Sequence, residues 1–125
     1  MHAYALHVLF EGLKPGGKAL DVGSGSGFLT VCMAYMMGEG KVVGIDHFEE
    51  LINLGIENIS KSHSHLLEEG RIRLVVADGR EGFEEEAPYD CIHVGCSTPE
   101  IPPKLIEQLA NGGFMMIPVG PEDGS

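Results

Sequence analysis

The chain has 125 residues, 43% of them hydrophobic, which is enough for one core and one domain over residues 1–125. Nineteen acidic against eight basic residues give a formal net charge of −11, which disfavours nucleic acids and acidic membrane surfaces as partners. No apolar run approaches the roughly eighteen residues that a membrane-spanning helix needs. Three cysteines without metal-ligand spacing, and the lack of a basic segment before an apolar stretch near residue 1, predict reduced thiols and a cytoplasmic location.

The first half of the chain is predicted to alternate between helices and strands. Residues 3–12 carry apolar side chains on one helical face and end in a turn rich in proline and glycine, which predicts an amphipathic helix. Residues 18–22 and 41–46 predict two buried strands. Residues 27–37 between them are apolar nearly all round and predict a helix that is covered on most sides. A helix between two such strands forms a βαβ unit, which implies parallel pairing and a right-handed crossover.

The next helix is predicted from a stripe of apolar residues that we expect to face the core. Its members are Phe48, Ile52, Ile56 and Ile59, and acidic residues stand favourably in its first turn. The polar segment at residues 62–69 fits either a short helix or a loop. The sequence therefore leaves the length of this helix open.

The second half of the chain adds three strands and one helix. An acidic run at residues 84–88 is most simply a solvated loop or a frayed helix end. The element order, led by a helix, predicts an α/β fold with an open, doubly wound and mainly parallel sheet of about five strands. The predicted elements are strands at residues 71–76, 90–94 and 114–119, and a helix over residues 102–109 that the glycines at 112 and 113 stop.

The first predicted strand ends in Asp21 and is followed by glycines at positions 23, 25 and 27. Such glycines permit positive φ and let a ligand approach the backbone. In an open α/β sheet a nucleoside ligand sits beyond the carboxyl end of the first strand. A dinucleotide fingerprint would need its third glycine at position 28, where the chain has Phe28, and this counts against an NAD-dependent reductase. An acid would repel a pyrophosphate, so Asp21 instead suits a ligand that carries an ammonium or sulfonium cation. The alternative is an ordinary glycine-rich turn.

Three predicted strands carry an acid at or just past their carboxyl ends, namely Asp21, Asp46 and Asp78. In a doubly wound sheet these carboxyl ends line one crevice. Asp46 lies nineteen residues beyond Gly27, close to the spacing at which an acid accepts hydrogen bonds from ribose hydroxyls. Asp78 with Gly79 can offer a carboxylate to an adenine amino group and an N–H to a ring nitrogen. Each acid alone is compatible with a turn or a helix cap, but together they favour a nucleoside site.

The glycine pattern resembles motif I of methyltransferases that depend on S-adenosylmethionine. Further segments extend the resemblance over the whole chain, to the protein-L-isoaspartate (D-aspartate) O-methyltransferase family. These segments are MHAYAL at residues 1–6, ALDVGSGSG at 19–27, VGIDH at 43–47, DGR at 78–80, APYDCIHVG at 87–95 and LANGG at 109–113.

The resemblance implies a Rossmann-like repair enzyme that methylates the free carboxylate of L-isoaspartyl residues in damaged proteins and peptides. S-adenosylmethionine is the implied cofactor, S-adenosylhomocysteine the product, and no metal is expected. Ser26 and the glycines would meet the methionine part, Asp46 the ribose, and Asp78 with Gly79 the adenine. The residues implied to bind the cofactor are His2, Asp21, Gly23, Gly25, Ser26, Asp46, His47, Asp78, Gly79 and Arg80.

Two parts of the family pattern are missing from this chain. The family carries an Ile-Ser-x-Pro segment just before the position of Met1, and its serine sits at the active site. It also carries a carboxyl-terminal part that brings the sheet to seven strands. We therefore expect a cofactor-binding core that is truncated at both ends, is monomeric and lacks the catalytic serine. The alternative is a catalytically inactive fragment that serves as a binding or regulatory module.

Four further side chains have competing interpretations. Cys96 fits a nucleophile or a small residue lining the substrate cleft, and the second is favoured because no histidine is paired with it in sequence reach. His93 is predicted to be a satisfied core histidine in the fourth strand. His63 and His65 have ligand-like spacing but stand in a polar surface segment, so no metal site is predicted there.

Overall fold

The computed structural model describes residues 17–25, 27–37, 40–95 and 102–116. Within these residues lies a five-stranded sheet whose paired strands are all parallel. No helix in this part of the chain has the length and hydropathy to cross a bilayer. The predicted helix at residues 3–12 lies outside the described residues, as do His2, Ser26 and Cys96.

The sheet order is β3-β2-β1-β4-β5, so the order reverses at β1 and leaves a switch point between β1 and β4. The predicted open, doubly wound α/β fold is confirmed. The elements in chain order are β1 (Lys18–Val22), α1 (Phe28–Met36), β2 (Lys41–Asp46), α2 (Glu49–Glu68), β3 (Ile72–Val76), a 3₁₀ helix (Glu84–Glu86), β4 (Tyr89–Val94), α3 (Pro103–Glu107) and β5 (Leu109–Met116).

The core consists of two apolar layers, one on each face of the sheet. Successive residues of a strand point to opposite faces, so Ala19 joins one layer and Leu20 joins the other. Both are fully buried, as are Val42 and Val43 on the neighbouring strand. Burial on both faces explains why β1 and β2 are continuous apolar runs rather than alternating ones.

Helix α2 differs from its prediction in its buried face, and its length, which the sequence left open, is decided by the structure. It continues to Glu68 through a kink at His63, so the polar segment after residue 62 is helical. Ile52 and Ile59 are buried as predicted, but Phe48 and Ile56 are 57% and 38% exposed. The stripe was wrong at these two positions because Phe48 is the N-cap that precedes the first helical turn, and because the buried face runs from Ile52 through Gly55 to Ile59 and Leu66, which leaves Ile56 to one side.

Helix α1 is buried or half-buried over most of its surface, as predicted, and two of its nine residues are exposed. Phe28 is 61% exposed and Tyr35 is 50% exposed, although the inner face is buried. Between α1 and α2 lies a cavity of about 440 Å³, which the predicted site touches through Gly27 at the end of the glycine loop. Its lining residues are Gly27, Phe28, Val31, Cys32, Tyr35, Asn58, Ile59, Ser62 and His63.

The boundary between α3 and β5 was also predicted wrongly. The helix ends at Glu107, and β5 already begins at Leu109, which pairs with Tyr89 of β4. The strand register then shifts before Cys91, near Gly112, whose φ is +80°. An irregularity of this kind lets glycines belong to a strand that sequence patterns end at a turn. The predicted residues 117–119 of this strand are outside the described range.

The acidic run after β3 is an anchor for the amino edge of the sheet rather than a purely solvated loop. Glu86 Oε2 accepts hydrogen bonds from Lys41 Nζ at 2.9 Å and from Arg73 Nη1 at 2.8 Å. Lys18 Nζ donates to the Glu86 main-chain oxygen at 2.7 Å. The hydrogen bond from Lys41, above all, holds the pKa of Glu86 below its ordinary value. The 3₁₀ turn thereby ties the crossover from β3 to β4 against the first three strands.

Candidate functional site at the carboxyl edge of the sheet

The glycine loop, residues 23–27, leaves β1 at the carboxyl edge and leads into α1. The N–H groups of Gly23 and Ser24 both donate to the Ile45 oxygen, at 2.8 and 3.0 Å, which holds the start of the loop against β2. Gly23 and Gly25 have φ of +81° and +52°, and a Cβ at Gly23 would meet no described atom within 4 Å. The loop therefore combines backbone that suits glycine with open space beside its main chain.

The carboxylate of Asp46 closes this loop from the next strand. Its Oδ2 accepts a hydrogen bond from the Gly25 N–H at 3.0 Å, and its Oδ1 accepts one from the Phe48 N–H at 3.2 Å. Asp46 is only 8% exposed. A carboxylate has about four lone-pair sites, so these two hydrogen bonds leave it with capacity to accept more. Asp46 thus both restrains the loop and remains a possible acceptor for hydroxyl groups.

Asp78 follows β3 and is paired with Arg80 in the same turn. Its Oδ1 accepts the Arg80 N–H at 2.9 Å, and its Oδ2 accepts from Arg80 Nη2 at 3.0 Å. The Arg80 side chain holds the pKa of Asp78 below its ordinary range, with a smaller effect from the nearby His47. The Asp78 side chain is 38% exposed, so this paired carboxylate still faces outward.

Gly79 and His47 complete this end of the site. A Cβ on Gly79 would come within 2.7 Å of Val22 Cγ1, so only a residue without a side chain lets this turn pack against the end of β1. His47 is exposed, and its ring packs edge-on against Phe48 with centroids 5.0 Å apart. The turn after β3 and the residues after β2 therefore reach the same edge as the glycine loop.

Asp21 has a different environment from the other two acids. It is 1% exposed, its Oδ2 accepts from Thr30 Oγ1 at 2.7 Å, and its Oδ1 lies 3.2 Å from His93 Nδ1. Both carboxylate oxygens thus have a partner within the protein, and the predicted contact of Asp21 with a ligand cation stays a prediction. His93 was predicted to be a satisfied core histidine, and this contact confirms it.

Sequence reasoning missed two buried polar side chains near the loop. Thr30 was not singled out, although a threonine within an apolar helix is a signal that its hydroxyl has a buried partner. Ser24 was seen only as part of the glycine pattern. Its Oγ is buried without a hydrogen-bond partner among the described residues, and a Cβ on Gly44 would come within 3.0 Å of the Ser24 Cβ. No sequence signal separates Ser24 from an ordinary loop serine.

The structure brings most of the predicted site residues to one edge. Gly23, Gly25 and Asp46 are joined through β2, and Gly79 contacts the end of β1 beside them. Asp21 lies below the loop, in the protein interior. The remaining predicted site residues are His47, Asp78 and Arg80 at the same edge, and His2 and Ser26, which the structure does not describe.

The whole chain matches known methyltransferase sequences. A family model described as protein-L-isoaspartate(D-aspartate) O-methyltransferase (PCMT) matches residues 1–125. A protein-L-isoaspartate O-methyltransferase of Caenorhabditis elegans is 55% identical over 126 residues, which cover 100% of this chain and 56% of the relative. Protein-L-isoaspartate O-methyltransferase 1 of Arabidopsis thaliana is 52% identical over 122 residues, which cover 96% of this chain and 53% of the Arabidopsis protein. The chain spans about half the length of the curated relatives that it matches.

Solved structures agree with this assignment. A PCMT from Plasmodium falciparum, solved in complex with S-adenosyl-L-homocysteine, is 38% identical with a TM-score of 0.90 over 98% of this chain and 60% of that chain. An S-adenosylmethionine-dependent O-methyltransferase from Thermotoga maritima is 29% identical with a TM-score of 0.72 over 90% of this chain and 41% of that chain. The five-stranded parallel sheet carries the glycine loop and the acids, and one family model matches the chain from residue 1 to residue 125. The chain therefore belongs to the protein-L-isoaspartate (D-aspartate) O-methyltransferase family.

Proposed function

We propose that this chain binds S-adenosylmethionine at the carboxyl edge of the sheet. The observation that carries the proposal is the glycine loop restrained by Asp46, which accepts a hydrogen bond from the Gly25 N–H, together with the space that the described residues leave beside Gly23. A solved relative whose fold superposes with a TM-score of 0.90 holds S-adenosyl-L-homocysteine. The acceptors also suit the ligand, because the carboxylates of Asp46 and Asp78 match the hydroxyl and amino groups of an adenosine.

The roles of individual residues follow from their chemistry. Asp46 would accept hydrogen bonds from the ribose hydroxyls with the lone pairs that Gly25 and Phe48 leave open. Asp78 would accept from the adenine amino group, and the Gly79 N–H would donate to the ring. The glycine loop would lie against the methionine part, together with Ser26. His2, His47 and Arg80 are proposed to flank the same ligand.

The proposed reaction is methyl transfer to the free carboxylate of an L-isoaspartyl residue in a damaged protein or peptide. The sulfonium of S-adenosylmethionine supplies an electrophilic methyl group when it is bound. A carboxylate has a reference pKa of about 4 and is already ionised near neutral pH, so the chain needs no general base to make it nucleophilic. Its residues would contribute alignment of the two reactants, which accounts for much of the rate gain in such transfers.

The proposed partners are isoaspartyl proteins and peptides, and not nucleic acid or a membrane. The formal charge of −11 supports this, since it repels phosphate-rich surfaces. A monomer in the cytoplasm is the proposed state and location. Support for the location comes from Cys32 and Cys91, which are both free thiols.

The first experiment titrates the purified, folded chain with S-adenosylhomocysteine in a calorimeter, with NADH as the control ligand. We expect saturable binding of S-adenosylhomocysteine and none of NADH. Failure to bind it in a sample with a cooperative unfolding transition would contradict the proposed function.

The second experiment measures transfer of labelled methyl groups to an isoaspartyl peptide and to the matched aspartyl peptide. Turnover specific to the isoaspartyl peptide supports the full proposal. Binding without turnover would instead identify the chain as an inactive, cofactor-binding module.

A further inference from the structure

We propose that Thr30 and His93 are positioning residues that act through Asp21 to hold the glycine loop in its ligand-ready shape. This inference rests on the proposed function, since the loop is where the methyl donor would bind. It concerns two side chains that would not themselves contact the ligand. Both lie below the loop, on α1 and on β4.

The contact between Asp21 and Thr30 spans the loop from end to end. Asp21 is the last but one residue of β1, and Thr30 stands in the first turn of α1, nine residues later. Their 2.7 Å hydrogen bond joins Oγ1 to Oδ2, and the two residues are 0% and 1% exposed. A charge-assisted hydrogen bond in a dry site is strong and holds a fixed geometry. It therefore fixes the distance between the start and the end of the loop.

The contact between Asp21 and His93 ties the same carboxylate to β4. The two residues are register partners on adjacent parallel strands, and Nδ1 lies 3.2 Å from Oδ1. An ionised carboxylate only accepts hydrogen bonds, so Nδ1 is the donor in this contact. Just beyond this contact, the Gly95 N–H on the β4 side donates to the main-chain oxygen of Val22, the residue after Asp21, at 2.9 Å. The switch point between β1 and β4 is thus restrained by a side-chain bond as well as by the strand ladder.

The loop needs this restraint because glycine residues restrict the backbone conformation very little. Glycine has more backbone freedom than any other residue, and that freedom has to be lost when a ligand is bound. Among the three loop glycines, a Cβ would come against a described side chain at Gly27, where it would meet Ile59, and not at Gly23 or Gly25. A loop already held at both ends loses less freedom on binding, which strengthens affinity without any new ligand contact.

The test compares two substitutions of Thr30 in the full chain. Thr30→Val keeps the shape and removes the hydroxyl, whereas Thr30→Ser keeps the hydroxyl. Hydrogen exchange of the Gly23, Gly25 and Gly27 amides is followed by NMR without ligand, with Val43 of β2 as the internal reference. We expect exchange about tenfold faster at the loop glycines in Thr30→Val, an unchanged rate at Val43, and wild-type behaviour in Thr30→Ser.

The second readout is the affinity for S-adenosylhomocysteine, measured together with the unfolding transition. We expect a Kd about tenfold higher in Thr30→Val and near wild type in Thr30→Ser. His93→Phe should behave like the valine variant, and His93→Asn, which places an amide N–H near the position of Nδ1, should restore most of the affinity.

Three outcomes decide the inference. Faster exchange confined to the loop supports it. Unchanged loop exchange in Thr30→Val overturns it, and so does an equal increase at the loop and at Val43, which would show a purely structural role. If the wild-type chain does not bind S-adenosylhomocysteine, the proposed function fails, while the exchange comparison still decides whether Thr30 restrains the loop.

Discussion

The two edges of the sheet carry charged residues of the same kinds but arrange them in opposite ways. At the amino edge, Glu86 is surrounded by cations from three strands, and its side chain is 16% exposed. At the carboxyl edge, Asp46 instead accepts hydrogen bonds from the main-chain N–H groups of Gly25 and Phe48, and Asp78 is paired with a single cation, Arg80 of its own turn. The amino edge therefore has its charges balanced within the protein, whereas the carboxyl edge keeps acceptor capacity for a ligand.

This difference separates stability from binding. A partly buried carboxylate with several cationic partners contributes to the free energy of unfolding. A carboxylate that restrains a flexible loop contributes mainly to the affinity of that loop for a ligand. We therefore expect substitutions at the amino edge to change stability with little effect on affinity, and substitutions at the carboxyl edge to do the reverse.

The largest effect is expected from Asp46→Ala. This change removes the acceptor of the Gly25 N–H and the proposed acceptor of the ribose hydroxyls. Hydrogen bonds to a charged group contribute about 1.5–3 kcal/mol each, so the Kd for S-adenosylhomocysteine should rise about 100-fold or more in calorimetric titration.

The matched control for Asp46→Ala is Glu49→Ala, which removes the same charge from an exposed site in the first turn of α2. Its Kd should stay near that of the wild type. If the wild type and Asp46→Ala bind with equal affinity, in samples that unfold cooperatively, the carboxyl-edge carboxylate does not contribute to ligand binding as proposed.

An intermediate effect is expected from Glu86→Gln at the amino edge. The free energy of unfolding, measured by urea titration at pH 7, should fall by roughly 1 kcal/mol, because the cationic partners are partly exposed and their contribution is discounted for solvent. The affinity for S-adenosylhomocysteine should not change. Glu84→Gln is the control, since Glu84 lies in the same 3₁₀ helix and is exposed.

The pH dependence of Glu86→Gln has a definite sign. The folded-state pKa of Glu86 is lowered, chiefly by the hydrogen bond from Lys41, so its stabilisation is fully present above the unfolded-state pKa. It is lost as the pH falls through the lower, folded-state pKa. The stability difference between wild type and Glu86→Gln should therefore shrink below about pH 4.5. A constant difference across this range would contradict the assigned role.

The smallest effect is expected from Arg80→Gln. The pair between Arg80 and Asp78 is exposed, and such pairs contribute little to stability. Removing the guanidinium should raise the pKa of Asp78 back toward its ordinary range and leave the unfolding transition unchanged. The Kd for S-adenosylhomocysteine should rise about two- to threefold, through poorer orientation of the Asp78 carboxylate. Lys61→Gln, an exposed cation on α2, is the charge control, and an equal change in both variants would remove any specific role for Arg80.

Local patterns were sufficient where one short segment carries all the information. β1 and β2 have the predicted bounds because apolar runs end where glycines and acids begin. The prediction failed where the partner is distant in sequence. Leu109 belongs to β5 because it pairs with Tyr89, and Ile56 is exposed because the face of α2 that packs in the fold runs through Gly55. Neither fact is visible in the periodicity of the segment itself.

By itself, the sequence determined the alternation of strands and helices, the glycine loop and the acids at the strand ends. These follow from hydrophobic periodicity and from the backbone freedom of glycine, which are local properties. Only the tertiary structure decided what each acid does. Asp21 turns inward to Thr30 and His93, Asp46 holds Gly25, and Glu86 joins Lys41 across 45 residues of sequence. A carboxylate accepts from whichever donor the fold brings near, so its role depends on contacts between distant segments.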